Sequence, residues 1–428
     1  MAGCGEEVVD FLKRQVRPAL GCTDPGVIAL AAATARRYLS GTPLKMRLVL
    51  SGNLFKNASG ARIPRLGEAG IPLAALLGAL AGDADAGLEV LKSVTEEDVV
   101  RAKELLKRNP VDIEVREICP DLFVEAHLFS EAGEVLVRIE DDYTNVTLVK
   151  VDGETLFQRR GDDEDSPLSH CDWERLKEFA SSAPLDNFGF LLEGLEMNMS
   201  LALLGLEGRY GLGVGKALQS LGEKYRFAQD PLTRTRLLTA AAVDARMGGA
   251  ELPAMSTGGS GNQGICAFLP IGILAEHFGI DPERKVRGLV FSNLLTLYAK
   301  EFIGRLGGAC GAAICAGIGV AAAATWMLGG GDREITAAVN NLAGNLSGMV
   351  CDGGKPGCAF KVSTSAYEAV LASLLSLNGV EIGRTDGIVG GSIRETMENV
   401  AMVCSKGMRE TDRCICKIIE GKVIPEKG

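Results

Sequence analysis

Cys351 and Cys358 flank a Gly-Gly-Lys-Pro-Gly loop in the segment CDGGKPGC. Such a loop lets the backbone fold closely around something compact and brings the two sulfurs to one side. Cys310, in GGACGAA, would complete a set of three thiolates. Three is one short of the four that a closed structural cluster or zinc site uses, and an open position is what a catalytic metal needs. A further cysteine, Cys22 in RPALGCTDP, stands just before a helix that Asp24 and Pro25 open as N-cap and first helical residue. The partial positive charge of a helix N-terminus lowers a thiol pKa, so Cys22 is expected as a thiolate able to act as base, nucleophile or ligand. The bland reading is a small buried residue in a turn.

Two other stretches could hold an anion. The loop from Met255 to Gly264, MSTGGSGNQG, offers many backbone N–H groups and the short polar side chains of Ser256, Thr257, Ser260 and Asn262 around Gly258. A loop of that kind opening a helix suits a carboxylate or phosphate. Its spacing matches neither the P-loop nor the dinucleotide fingerprint. Asn53, Lys56 and Asn57, in SGNLFKN, could bind an amino-acid carboxylate or form a solvated turn. Cys315 and Cys266 lie in apolar runs and read as core, and Cys414-Ile-Cys416 is weak evidence for redox or metal chemistry. Cys4, Cys119, Cys171 and Cys404 have no partner pattern, and His127, His170 and His277 each stand alone.

The elements that must position these residues divide the chain. Glu6 to Arg17 has helical apolar spacing and Pro18 stops it; a second helix runs through IALAAATARRYL. Leu44 to Leu50 alternates as a strand and leads into a polar turn, SGNLFKNASG. Leu66 to Leu80 and Leu88 to Lys107 read as helices. Four β-like runs follow, Val111 to Ile118, Leu122 to Leu128, Glu134 to Ile139 and Thr144 to Val151. The charged, turn-rich GDDEDSPLSHCDW marks a boundary, and from Trp173 onward nearly everything reads helical. The expected fold is α+β, a small α/β-sheet domain plus a largely α-helical C-terminal domain. Its expected parts are 1–43, helices returning to the helical domain; 44–160, the α+β unit; and 173–428, the helical domain with the cysteines.

Composition narrows the function. A chain of 428 residues has room for two domains. A net charge of −10 without a basic run argues against nucleic acid and anionic membranes as partners. Aromatics at 5% beside 54 glycines favour tightly packed helices and backbone-lined sites, and three histidines argue against a histidine-based zinc hydrolase. Twelve cysteines diluted over this length, behind a start without an apolar signal segment, point to a reducing cytoplasm. Leu306 to Gly331 carries no charge and is long enough to span a bilayer, but it is mainly Gly and Ala, so a buried central helix is expected.

RPALGCTDP, SGNLFKNASG, STGGSGNQG, GGACGAA and MVCDGGKPGCAFKVST together resemble the L-cysteine desulfidases, relatives of the iron–sulfur L-serine dehydratase alpha chain. The likeness runs from Cys22 to the segment GGSIRETMENVAMV. It implies an oxygen-labile [4Fe–4S] cluster on Cys310, Cys351 and Cys358, with Cys22 as base or as ligand of the resting cluster. It further implies β-elimination of L-cysteine to pyruvate, ammonia and hydrogen sulfide, with no PLP. The glycine-rich loop, with Ser256, Thr257, Gly258, Ser260 and Asn262, is then the expected carboxylate holder, and Asn53 and Lys56 are secondary candidates. L-serine dehydration on the same cluster is the alternative within the enzyme class. Outside it stand an iron–sulfur sensor or electron carrier, and buried thiols with a structural role. A small amino acid is the expected partner, and a homo-oligomer is left open.

Overall fold

The computed structural model describes residues 2–64, 66, 68–159, 166–169, 171–226, 230–304 and 306–423. His170 and residues 160–165 of the expected boundary lie outside them. In chain order the first elements are α1 (Ala2–Gln15), β1 (Pro18–Leu20), α2 (Thr23–Tyr38), β2 (Lys45–Ser51), α3 (Gly52–Ser59), α4 (Ile71–Ala81) and α5 (Glu96–Arg108). Then come β3 (Asp112–Arg116), β4 (Phe123–Ser130), β5 (Gly133–Glu140), β6 (Val146–Val151) and β7 (Glu154–Gln158). Helices follow: α6 (Trp173–Ser182), α7 (Gly189–Gly205), α8 (Val214–Tyr225) and α9 (Pro231–Met247). After β8 (Pro253–Met255) come α10 (Gly261–His277), α11 (Pro282–Ile303), α12 (Gly311–Met327), α13 (Asp332–Leu346), α14 (Cys358–Leu377), α15 (Ile393–Ala401) and α16 (Arg409–Val423). The architecture is α+β.

Six strands form a mixed sheet in the order β3-β2-β4-β5-β6-β7, with β2 and β3 parallel and every other pair antiparallel. Helices α2 and α4 pack on each other and α2 lies on β4 and β5. Small residues make that crossing close: a Cβ on Gly78 of α4 would stand 2.2 Å from the Ala29 carbonyl of α2. The C-terminal helices surround α12, which packs on α10, α11, α13 and α14 and is buried along nearly its whole length. A Cβ on Gly319 would sit 2.3 Å from the Ser292 carbonyl and 2.2 Å from Thr296 Oγ1 of α11, so the Gly/Ala run lets the two helix backbones pack closely. Among the described residues no helix is long and apolar enough to cross a membrane.

The differences from expectation have local causes. SGNLFKNASG is no turn: Ser51 Oγ accepts from Leu54 N–H as an N-cap, and Leu54, Phe55 and Ala58 bury one face of α3. The second helix begins at Thr23 with Cys22 as N-cap, so Asp24 and Pro25 fall inside its first turn. Helix α4 starts only at Ile71, after Gly70 at φ 144°. The Leu88–Lys107 helix is replaced by a 3₁₀ turn at Ala84–Glu89 and by α5, which a Thr95–Asp98 capping box starts afresh. Strand β7 is exposed throughout, so it carries no alternation to find. Finally, α1 joins the apolar cluster of the helices through Val8, Phe11 and Leu12, whereas α2, expected beside it, packs on the sheet.

Candidate active site

The three cysteines reach one place through backbone pairing and helix starts. Cys310 N–H donates to Met349 O at 2.9 Å, and Cys351 N–H donates to Gly308 O at 2.7 Å, around an antiparallel bridge of Ala309 with Val350. Cys310 is thereby the N-cap of α12, and Cys358 is the first residue of α14. Between them the glycines lie against α3. Gly353, at φ 97°, would drive a Cβ to 2.4 Å from Lys56 O. Gly354 N–H donates to Asn57 O at 3.1 Å, and a Cβ there would stand 2.8 Å from that oxygen and 3.2 Å from Cys22 Sγ. Lys355 and Lys361 both pair with Asp352 and brace the loop.

Cys22, Cys310, Cys351 and Cys358 line a single cavity of about 90 Å³ together with Asp24, Asn57, Tyr143, Arg246, Ser260, Asn262, Gln263 and Lys300. Helices α2, α10, α12 and α14 all begin at its wall, with Cys22, Ser260 and Cys310 as N-caps and Cys358 as the first residue of α14. Four N-termini directed at one space favour negative charge there.

All four thiols are free. Burial pushes the Cys310 thiol well up, and the neighbouring Cys351 and Cys358 sulfurs push it further. Burial also raises Cys358, against the opposing Lys355 ammonium. In the protein alone Cys310 and Cys358 therefore hold their protons; a bound cationic centre would favour their thiolates. Among the described residues no three His, Cys, Asp or Glu side chains meet as ligands of a single ion. Cys310, Cys351 and Cys358 line the same cavity, and three free thiols are a donor set of the kind that an iron–sulfur cluster takes.

Cys22 differs from expectation in its protonation. Burial raises its thiol well above the ordinary range, and the Asp24 carboxylate raises it further, so the helix N-terminus does not win. The thiol donates to Asp24 Oδ2 at 3.4 Å, and Tyr143 O–H donates to Asp24 Oδ1 at 3.1 Å. Burial likewise raises Asp24.

Of the other sequence candidates, Ser260 and Asn262 are on the cavity wall. Ser260 Oγ caps α10 by accepting from Gln263 N–H, and Asn262 Oδ1 accepts from Arg246 Nη1 at 2.9 Å. Ser256 and Thr257 are not brought there: their buried hydroxyls donate to Arg17 O and Asn293 Oδ1, both at 2.6 Å. Gly258 O accepts from Lys300 Nζ instead. Asn53 and Lys56 face α16, where the buried Lys56 ammonium bonds Asn53 Oδ1, Gly307 O and Asp412. Cys266 and Cys315 are core, Cys414 is exposed, and Cys416 lies against Gly52 O. Sequence reasoning missed Tyr143, Arg246, Gln263 and Lys300, and it saw Asp24 only as a cap. The readable signal was Arg246 itself, a charge inside the apolar run TAAAVDARMGGA.

Fold and site define an α+β protein whose helical half brings free thiols to one cavity that Asp24, Arg246 and Lys300 also line. The family model described as serine dehydratase alpha chain matches residues 85–417. A UPF0597 protein of Clostridium botulinum (strain Okra / Type B1) is 37% identical over 425 residues, 98% of either chain. A UPF0597 protein of Desulforapulum autotrophicum is 41% identical over 438 residues, 98% of this chain and 99% of its own. The UPF0597 protein YhaM of Salmonella typhimurium (strain LT2) is 39% identical over 419 residues, 96% of either chain. The chain belongs to the serine dehydratase alpha chain family.

Proposed function

We propose that this protein is a β-eliminating lyase that converts L-cysteine to pyruvate, ammonia and hydrogen sulfide with a [4Fe–4S] cluster held by Cys310, Cys351 and Cys358. The observation that carries the reading is the meeting of these three free thiols on one cavity with a fourth, Cys22, backed by a buried carboxylate. When bound, a cluster on three protein thiolates supplies a Lewis-acidic iron with an open coordination position.

The chain's own residues account for proton movement. Asp24 accepts the Cys22 proton across the 3.4 Å contact, and the Tyr143 hydroxyl holds the carboxylate in place. The thiolate so formed takes the proton from the substrate Cα as hydrosulfide leaves Cβ. The product, 2-aminoacrylate, tautomerises to an imine and consumes one water to give pyruvate and ammonia. Asn57 and the Gly353–Gly354 backbone line the cavity beside these groups.

The family description supports a second reading, loss of water from L-serine at the same residues. One experiment separates them. The protein is purified without oxygen and reconstituted with iron and sulfide, and excess sulfide is removed. Pyruvate and sulfide are then assayed with L-cysteine or L-serine. About four irons per chain, with both products from L-cysteine, support the proposal; pyruvate from L-serine alone selects the second reading. Absence of iron uptake overturns both.

A further inference from the structure

Arg246 is the unexplained group in the cavity. It is 2% exposed, yet its Nε and Nη2 have no hydrogen-bond partner among the described residues. Nη1 is occupied by Asn262 Oδ1 at 2.9 Å. The nearby carboxylates are engaged elsewhere: Asp244 accepts from the N–H groups of Leu212 and Gly215, and Asp24 from Cys22 and Tyr143. The Nε2 of Gln263, 1% exposed, is a second buried donor without a partner. A buried cation with idle donors is costly, and the helix makes it more so. The guanidinium lies on the first residue of α10, where a Cβ on Gly261 would stand 2.3 Å from Nε and 2.6 Å from Cζ. A guanidinium at the positive end of a 17-residue helix is repelled by it unless an anion beside both offsets the two positive charges.

We infer that Arg246, Gln263 and the first turn of α10 form the seat of the substrate's α-carboxylate. Arg246 offers Nε and Nη2 as a two-pronged donor along one edge, the arrangement that matches a planar carboxylate. Gln263 adds a third donor. Asn262 fixes the guanidinium by accepting from Nη1, so it positions the anchor and leaves the contact with the substrate to its neighbours. Gly261 is glycine because the guanidinium occupies the space a side chain would take. The site selects α-carboxylates and rejects amines and amides of the same shape. This assignment takes from the elimination reading only the identity of the substrate as an amino acid.

The test is equilibrium titration of the full chain, purified anaerobically with its iron, against L-alanine, which has no group to lose from Cβ, and against L-alaninamide. L-Alanine is expected to bind and the amide to bind at least about tenfold more weakly, the value of one lost charge-assisted pair. Arg246→Gln should weaken L-alanine by about 10- to 100-fold, and Arg246→Lys by less. Should Arg246→Gln not fold, Gln263→Glu, which sets a like charge beside the carboxylate, and Gly261→Ala, which displaces the guanidinium, must each weaken it. Equal binding of acid and amide, no binding of L-alanine by the wild-type chain, or unchanged affinity in the folded variants overturns the site. Arg246-dependent L-alanine binding without turnover of any amino acid would keep the site and sink the elimination reading. L-Cysteine turnover with KM unmoved by Arg246→Gln would do the reverse.

Discussion

Cys22 and Asp24 are joined side chain to side chain, Sγ to Oδ2 at 3.4 Å, inside the first turn of one helix and shut away from solvent. The pairing turns the helix-start argument round. Burial and the adjacent negative charge both hold the proton on sulfur, so the carboxylate is what must remove it.

Asp24→Asn should therefore lower turnover by about 100-fold or more, the range of a general-base contribution, with iron content and thermal unfolding unchanged. Because the Cys22 pKa is raised, its thiolate grows with rising pH, and wild-type activity should climb toward alkaline pH. Losing the Asp24 charge removes one cause of that shift, so the rising limb of the residual activity should move to lower pH. A pH–rate profile of both proteins checks this; an unmoved limb would show that Asp24 does not face the thiol.

The two glycines after Cys351 differ in kind from the one before Cys358. Gly354→Ala would place a methyl 2.8 Å from Asn57 O and 3.2 Å from Cys22 Sγ, so the loop must move off α3. The expected cost is about 1–3 kcal/mol, with iron retention reduced. Gly357, at φ −61°, would meet only the flexible Lys355 side chain at 3.5 Å or beyond. Its alanine variant should be neutral to within about 0.5 kcal/mol and keep its iron. Parallel unfolding curves and iron assays decide, and equal behaviour of the two variants would contradict the packing described.

How far the sequence reaches is visible in these same residues. Cys351, Cys358 and their glycines were legible because a short loop with two sulfurs is a local pattern, and the strands from β3 to β6 because apolar and β-branched runs stand between turn residues, although only β5 alternates in burial. Of the glycine-rich loop's candidates, Ser260 and Asn262 reach the cavity wall and the others do not. Ser256 and Thr257 spend their hydroxyls on Arg17 O and Asn293, contacts across 239 and 36 residues that no window contains. Lys56 looked like a ligand for an anion; its partner, Asp412, is 356 residues away. Tyr143 and Arg246 reach the cavity from opposite clusters of the fold, so their meeting is a property of tertiary structure alone.

Glu125 gives the sheet a pH dependence of known sign. Burial would raise its carboxyl, but the His127 ring at 3.7 Å and the Arg138 guanidinium at 2.6 Å outweigh it and hold the pKa down from 4.5 to about 2. A depressed folded-state pKa means that the stabilisation is complete above pH 4.5 and is lost as pH falls toward about 2. Glu125→Gln should cost up to about 3 kcal/mol at neutral pH, at 1.36 kcal/mol per unit, and the gap to wild type should close in acid. Urea midpoints measured across that interval check it; a gap independent of pH would assign the loss to packing.

The cysteines themselves separate ligand from base. Cys351 and Cys358 come from one loop and Cys310 from the start of α12, so removing any one leaves two sulfurs, too few to hold a cluster against loss of iron. Cys310→Ala, Cys351→Ala and Cys358→Ala should each be colourless or lose iron rapidly on desalting, and should lack turnover. Cys22→Ala should bind iron like the wild type and still fail to turn over, because the proton acceptor at Cα is gone while the other three thiols keep their places. Iron per chain, visible absorption and pyruvate release, measured on the same anaerobic samples, give the two patterns. Full activity in Cys351→Ala or Cys358→Ala would remove these residues from the ligand set. Loss of iron in Cys22→Ala would make Cys22 a fourth ligand and transfer the role of base to Asp24, the carboxylate already in contact with it.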